Sequence, residues 1–189
     1  SVEIGVLVET ANSGIIAIIG ITIISWKRST AKLTDIVITD NGPVFITAKL
    51  SYELAGTRYY SVFLKIYKAM PMMEARVCLH KESVWEPENL YVSLPFITGQ
   101  GSETYADKTG CIIRPGIDQL PGTCQNFYLI QNGLVRTGTK TDIVIGIKDA
   151  PLVSFGKREA APVQLCDGKN TELNGSTIYS WVMNNFWET

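Results

Sequence analysis

Val44-Phe-Ile-Thr-Ala-Lys-Leu-Ser-Tyr-Glu-Leu-Ala-Gly-Thr-Arg-Tyr-Tyr-Ser-Val-Phe-Leu-Lys-Ile-Tyr67 decides the fold class. Apolar and polar residues alternate over Val44–Leu54, and Ala55-Gly56-Thr57 turns the chain into a second such run, Arg58–Tyr67. A period of two, β-branched and aromatic residues, and a glycine turn between the runs predict a hairpin.

The same texture extends outward in both directions. Upstream, Ser1–Glu9 places Val2, Ile4, Val6 and Val8 on one face and closes at Asn12-Ser13-Gly14, while Ala31–Thr39 closes at Asp40-Asn41-Gly42-Pro43. Downstream, Met72–Lys81, Asn89–Phe96, Phe127–Leu134, Thr141–Lys148 and Thr177–Trp187 read as further strands. Ile97–Gly110 is polar enough for a loop, and Gly156–Gly175 reads as irregular. No stretch carries a 3.6-residue stripe, and there is no internal repeat. About ten strands joined by mostly short turns predict an all-β sandwich, one domain over residues 1–189 or part of one.

Composition agrees. Ile, Val and Thr make up 52 of the 189 residues, with 16 Gly and 8 Pro to punctuate them. A net charge of -1 gives no general pull toward nucleic acid or an anionic membrane. The apolar run Gly14–Trp26 is too short for a spanning helix, which needs about 20 residues, and lacks the marks of a signal peptide. Buried strand is the better reading of it.

Cys78, Cys111, Cys124 and Cys166 form no C-x-x-C pair and read as buried free thiols. With no signal, this points to the cytoplasm. One histidine, His80, excludes a His-rich metal cluster. The chain opens in a strand and stops within Phe186-Trp187-Glu188-Thr189, which suggests a piece of a longer polypeptide.

Four residues are candidates for substrate contact. Asp118 and Gln119 lie in Arg114-Pro-Gly-Ile-Asp-Gln-Leu-Pro-Gly122, where Pro and Gly on both sides stiffen the loop that carries them. Against this, Asp118 can accept N–H bonds within its own loop. Asn184 and Asn185 lie between Trp181 and Phe186-Trp187, and amides beside aromatic faces suit a sugar. Neighbouring strand residues face opposite ways, so only one points into a pocket unless a bulge intervenes. Glu82, Glu86 and Glu88 could serve as paired acids, although a solvated loop accounts for them more simply. Nucleophile elbows, P-loops and dinucleotide glycine motifs are absent.

Taken together, Gly42-Pro-Val-Phe45, Tyr52–Tyr59, Leu79–Phe96, Arg114–Gly122, Asp149-Ala-Pro-Leu-Val153 and Tyr179–Thr189 resemble the C-terminal β region of glycoside hydrolase family 38, the α-mannosidase-like enzymes, in its bacterial relatives. The resemblance covers about 35–189. It implies a galactose-mutarotase-like β-supersandwich that packs on an upstream catalytic domain of the same chain and completes its carbohydrate pocket. It also implies a retaining mechanism whose nucleophile, acid/base and zinc ligands all lie upstream, with no catalytic residue, metal ligand or cofactor in this fragment. Asp118, Gln119, Asn184 and Asn185 are then the expected pocket-wall residues. A free-standing carbohydrate-binding module and a purely structural sandwich are the alternatives, and a homo-oligomer stays open.

Overall fold

The structure is a computed structural model. It describes residues 2–9, 20–24, 28–120, 123–125, 127–156 and 177–185, with backbone alone for 2–9, 20–24 and 28. The expected turn at Asn12-Ser13-Gly14, most of the Gly14–Trp26 run, the irregular stretch 157–175, Cys166 and residues 186–189 lie outside the described residues.

The described residues are all-β, without a helix, and form fifteen strands. The first seven are β1 (Val2–Glu9), β2 (Gly20–Ile24), β3 (Arg28–Thr30), β4 (Lys32–Asn41), β5 (Phe45–Glu53), β6 (Thr57–Tyr67) and β7 (Met72–Lys81). Then come β8 (Asn89–Leu94), β9 (Glu103–Lys108), β10 (Cys111–Ile113), β11 (Tyr128–Leu129) and β12 (Gly133–Thr137). The last three are β13 (Asp142–Ile147), β14 (Leu152–Phe155) and β15 (Ile178–Asn184).

All pairings are antiparallel. One sheet has nine strands in the order β10-β9-β12-β13-β1-β7-β6-β5-β4, and the other has six in the order β11-β14-β15-β8-β2-β3. The expected hairpin is β5–β6, in register from Phe45↔Tyr67 to Ser51↔Ser61. Gly56 takes φ +80 at its turn, where the Thr57 N–H donates to the Leu54 carbonyl at 3.1 Å.

Alternation along the strands makes a single core between the sheets. Val62, Val77, Ile143 and Ile145 come from the large sheet, and Leu90, Val92, Val153 and Ile178 from the small one, all fully or nearly fully buried. Burying such side chains contributes about 1.5–3 kcal/mol each, which is what holds two sheets of this size face to face.

Three readings of the sequence are corrected. Phe127–Leu134 is two strands in different sheets: Tyr128 pairs with Val153 in the small sheet, while Leu134 pairs with Ala106 and Ile145 in the large one. Gln131 and Asn132 make the crossing, the Gln131 N–H donating to the Asp107 carbonyl at 2.8 Å. Ile97–Gly110 contains β9, whose single buried apolar side chain, Ala106, is too small to signal a strand. The three described cysteines are free, but Cys111 is exposed and Cys78 and Cys124 are half-buried, because they lie at edges or on outward positions rather than in the core.

Candidate functional site at the Trp85 loop

Between β7 and β8 the chain reads Glu82-Ser-Val-Trp-Glu-Pro-Glu88, too acidic and proline-broken for strand. Both ends of this loop are fastened. At the entrance, the Glu82 N–H donates to the Gly56 carbonyl at 2.9 Å, and Lys81 Nζ donates to the Glu82 carbonyl at 2.8 Å. Lys81 Nζ also forms an ion pair with Glu88 Oε1 at 2.6 Å, with both side chains nearly buried. Glu88 therefore serves the loop's own architecture. The Glu82 side chain forms a surface pair with Arg58 at 3.5 Å, and Glu86 is exposed.

The exit is held by Asn185, from the far end of the chain. Its Oδ1 accepts the Glu88 N–H, and its own N–H donates to the Glu88 carbonyl at 3.2 Å. Its Nδ2 donates to the carbonyls of Val84, at 3.3 Å, and Glu86, at 2.9 Å. Those two carbonyls flank Trp85, whose residue remains 85% exposed. Asn185 thus fixes the backbone around an indole that has almost no cover. A tryptophan so placed is unusual, since its large apolar face is normally buried on average.

Asn184 sits beside this loop through a bulge. Trp181 pairs with Tyr91 and Met183 with Leu90, so Val182 is the extra residue and Asn184 returns to the face of Trp181. On that outer face of the small sheet, Trp181 stacks on Tyr91 at 5.4 Å and meets Phe127 edge-on at 5.8 Å. Asn184 is exposed and lies opposite Asn89. Asn89 is 3% exposed, and its Oδ1 finds no hydrogen-bond donor among the described residues. A buried acceptor in that condition is costly.

Asp118 and Gln119 occupy a different corner, the loop from β10 to β11. Pro115 and Gly116, the latter at φ +77, turn the chain, and the Ile117 N–H closes the turn on the Arg114 carbonyl at 3.0 Å, as in a type II turn. The Asp118 carboxylate then accepts the Arg114 N–H at 2.8 Å and both Nε and Nη2 of its guanidinium, at 3.2 and 2.9 Å. These side-chain bonds, followed by the backbone one, hold the carboxyl below its ordinary range. Gln119 Oε1 accepts the Gly116 N–H at 3.2 Å and the Tyr128 hydroxyl at 2.7 Å, while its Nε2 donates to the Cys124 carbonyl at 3.3 Å.

The four expected residues therefore divide into two pairs. Tyr128, the partner of Gln119, lies across from Val153 and hence from Ser180, whereas Asn184 is four residues further along β15. With the bulge at Val182 counted out, that is roughly 10 Å along the strand direction and two strands to the side. Asp118, Gln119 and Asn185 spend most of their hydrogen-bonding capacity inside the chain, and of the four Asp118 and Asn184 are exposed.

A second concavity lies on the outer face of the large sheet. Glu74, Gly5, Gly146 and Gly133 follow one another in register across β7, β1, β13 and β12, so three successive strands bring no side chain to that row. The resulting cleft is about 740 Å³ and is lined by Phe63, Lys65, Glu74, Arg76, Gln131 and Asn132, among others. Its lining also includes Lys148, so three cations stand there against the single carboxylate of Glu74. Lys65 Nζ lies 3.9 Å from Glu74 Oε1 and over the rings of Phe45 and Tyr67, and the Tyr67 hydroxyl donates to Glu74 Oε1 at 2.5 Å. The bond to Tyr67, aided by the Glu74 charge, raises the Lys65 ammonium above its usual pKa. The amides of Gln131 and Asn132 and the Phe63 ring give the cleft groups for a polar ligand with an apolar face.

The sequence reading missed Trp85 as a candidate, because a Trp among acids signals a loop and nothing about whether the indole is covered. It also missed the cleft, whose only trace was a glycine at an outward position in each of three strands. Among the described residues no three His, Cys, Asp or Glu side chains gather at metal-ligating spacing. No helix among them is long and apolar enough to cross a membrane. No protein-family model, no curated protein sequence and no solved structure matches this chain.

Proposed function

We propose that the chain is the C-terminal β-sandwich region of a family 38-like retaining glycoside hydrolase, α-mannosidase-like, and that it completes the sugar pocket of an upstream zinc-dependent catalytic domain. The nucleophile, the acid/base and the metal belong to that domain, and this chain alone is inactive. The observation that carries the reading is the Trp85 loop. Two stretches with the family resemblance, Leu79–Phe96 and Tyr179–Thr189, meet there through Asn185, whose bonds hold the backbone on both sides of an uncovered indole.

A pyranose ring has one apolar face and a rim of hydroxyls. Trp85 offers the flat surface for the face, and Asn184 offers an amide for the rim. The loop is fixed before any sugar arrives, so little ordering entropy is lost on contact. Asp118, Gln119 and Asn185 hold the two loops that form the wall.

The test is Trp85→Ala and Asn185→Ala in the full-length chain with zinc. Either substitution is expected to lower kcat/KM on an aryl α-mannoside by about tenfold, chiefly through KM, with zinc content unchanged. Unchanged kinetics in both variants would remove the Trp85 loop from the pocket.

The cleft on the large sheet favours a second reading, a carbohydrate-binding module that needs no catalytic partner. That reading expects saturable binding of a mannoside by the 189-residue chain alone, lost in Phe63→Ala. Calorimetric titration showing no heat with the native chain would discard it.

A further inference from the structure

The last strand of the large sheet, β4, carries a ten-residue edge beyond which no strand lies among the described residues. Long apolar edges are template surfaces for another strand, and proteins ordinarily blunt or cover them. This one carries three charged side chains and two bulges, yet its apolar side chains stay open among the described residues. Ile36 is 56% and Ile38 57% exposed, and Val37 on the other face is 46% exposed.

The pairing of β4 with β5 shows which face each residue occupies. Two bulges intervene, one at Thr34 and one at Thr39, and the Thr34 and Thr39 hydroxyls bond back to the carbonyls of Ser51 and Thr47 on β5. Leu33, Ile36 and Ile38 stand opposite Tyr52, Leu50 and Ala48, on the face toward the small sheet. Lys32, Asp35, Val37 and Asp40 stand opposite Glu53, Ser51, Lys49 and Thr47, on the outer face. Counting by β5 partners, Lys32 and Asp40 are equally far from Ile36, on either side of it.

That spacing is self-complementary. A two-fold axis perpendicular to the sheet at Ile36 sets a second β4 antiparallel to the first, with Ile36 facing its own copy. Leu33 then faces Ile38 of the second copy, and Asp35 faces Val37. Lys32 faces Asp40, twice, once on each side of the axis. Every apolar residue of the inner face meets an apolar residue, both terminal positions meet an opposite charge, and no like charges stand opposite one another. An isologous interface requires this reciprocity, and a chance edge seldom has it.

We infer that the chain forms a two-fold dimer by antiparallel pairing of β4 with β4 of a second copy, joining two nine-stranded sheets into one. The occupant of the edge is the chain itself, because the charge order along β4 matches its own reverse. The inference is independent of the sugar reading.

Sedimentation of the 189-residue chain at micromolar concentration tests it, with circular dichroism to confirm that each variant keeps its β-structure. The native chain is expected to be a dimer, and Ile36→Lys, which brings two ammonium groups together on the axis, a monomer. Lys32→Asp alone and Asp40→Lys alone should each raise the dimer Kd by about tenfold, and the double swap Lys32→Asp with Asp40→Lys should restore it. Restoration fixes both the edge and the register. A native monomer overturns the proposal and leaves the edge to another segment or protein. So does a dimer indifferent to Ile36→Lys, or a double swap as weak as the single variants. If Ile36→Lys fails to fold, the charge-swap set decides alone, since its exposed positions carry no core packing.

Discussion

Asn185 and Glu88 are joined in both directions: the Glu88 N–H donates to Asn185 Oδ1, and the Asn185 N–H donates to the Glu88 carbonyl at 3.2 Å. Through this pair the end of β15 closes a loop that starts just over a hundred residues earlier. Strand pairing between β8 and β15 brings the two segments side by side, and the amide of Asn185 then satisfies loop groups that no ladder reaches.

Asn185→Ala removes one acceptor and two donors and leaves three loop backbone groups to water. The expected loss is about 1–3 kcal/mol, visible as a lower urea midpoint. Faster proteolysis between residues 82 and 88 should accompany it. Asn185→Asp keeps the acceptor but turns a carboxylate toward the Val84 and Glu86 carbonyls, and should be no better than alanine.

The Arg114–Asp118 pair is a pH-sensitive latch on the other loop. Its carboxyl is held down first by the guanidinium bonds and then by the Arg114 N–H. A depressed folded pKa contributes stability that is present above the unfolded value, about 3.9, and is lost as pH falls through the folded one. The carboxyl resonance of Asp118 should therefore titrate below the ordinary range, and Arg114→Ala should return it toward that range. Arg114→Lys should rescue only in part, because the two-pronged bond needs the guanidinium fork.

Tyr60 gives the opposite sign. Burial, and after it the nearby Tyr52 phenol stacked on it at 4.6 Å, push its pKa far above the usual tyrosine value. A raised folded pKa contributes stability that is complete below the unfolded pKa of about 10 and declines as pH rises above it. Its hydroxyl has no partner among the described residues, so Tyr60→Phe removes an unsatisfied polar group. We expect the variant to be neutral or slightly stabilised near pH 7 and distinctly more resistant to unfolding above pH 10. Alkaline unfolding of the two proteins, followed by near-ultraviolet dichroism, checks this.

Much of the sandwich was legible because its core-facing residues repeat every two positions: Val62 and Leu64, Ala75 and Val77, and Ile143, Ile145 and Ile147 mark their strands without help from tertiary structure. What escaped was set by neighbours rather than by local pattern. The β9 strand is recruited through backbone pairing with β10 and β12, and Phe127–Leu134 divides between sheets because Gln131 is captured by Asp107. At the candidate site the amides of Asn184 and Asn185 could be picked out by type. Which of them would turn inward depended on a bulge at Val182, and the exposure of Trp85 depended on Asn185 reaching it from the other end of the chain.

Hydrolysis of an aryl α-mannoside with added zinc, by the 189-residue chain beside the longer polypeptide to which we assign it, tests the central claim most directly. The account predicts turnover by the longer polypeptide and none by this chain, because the nucleophile, the acid/base and the metal lie outside these residues. Turnover by the 189-residue chain alone would contradict it, since a catalytic pair would then lie within the sandwich. A longer polypeptide equally silent on this substrate would contradict the α-mannosidase assignment.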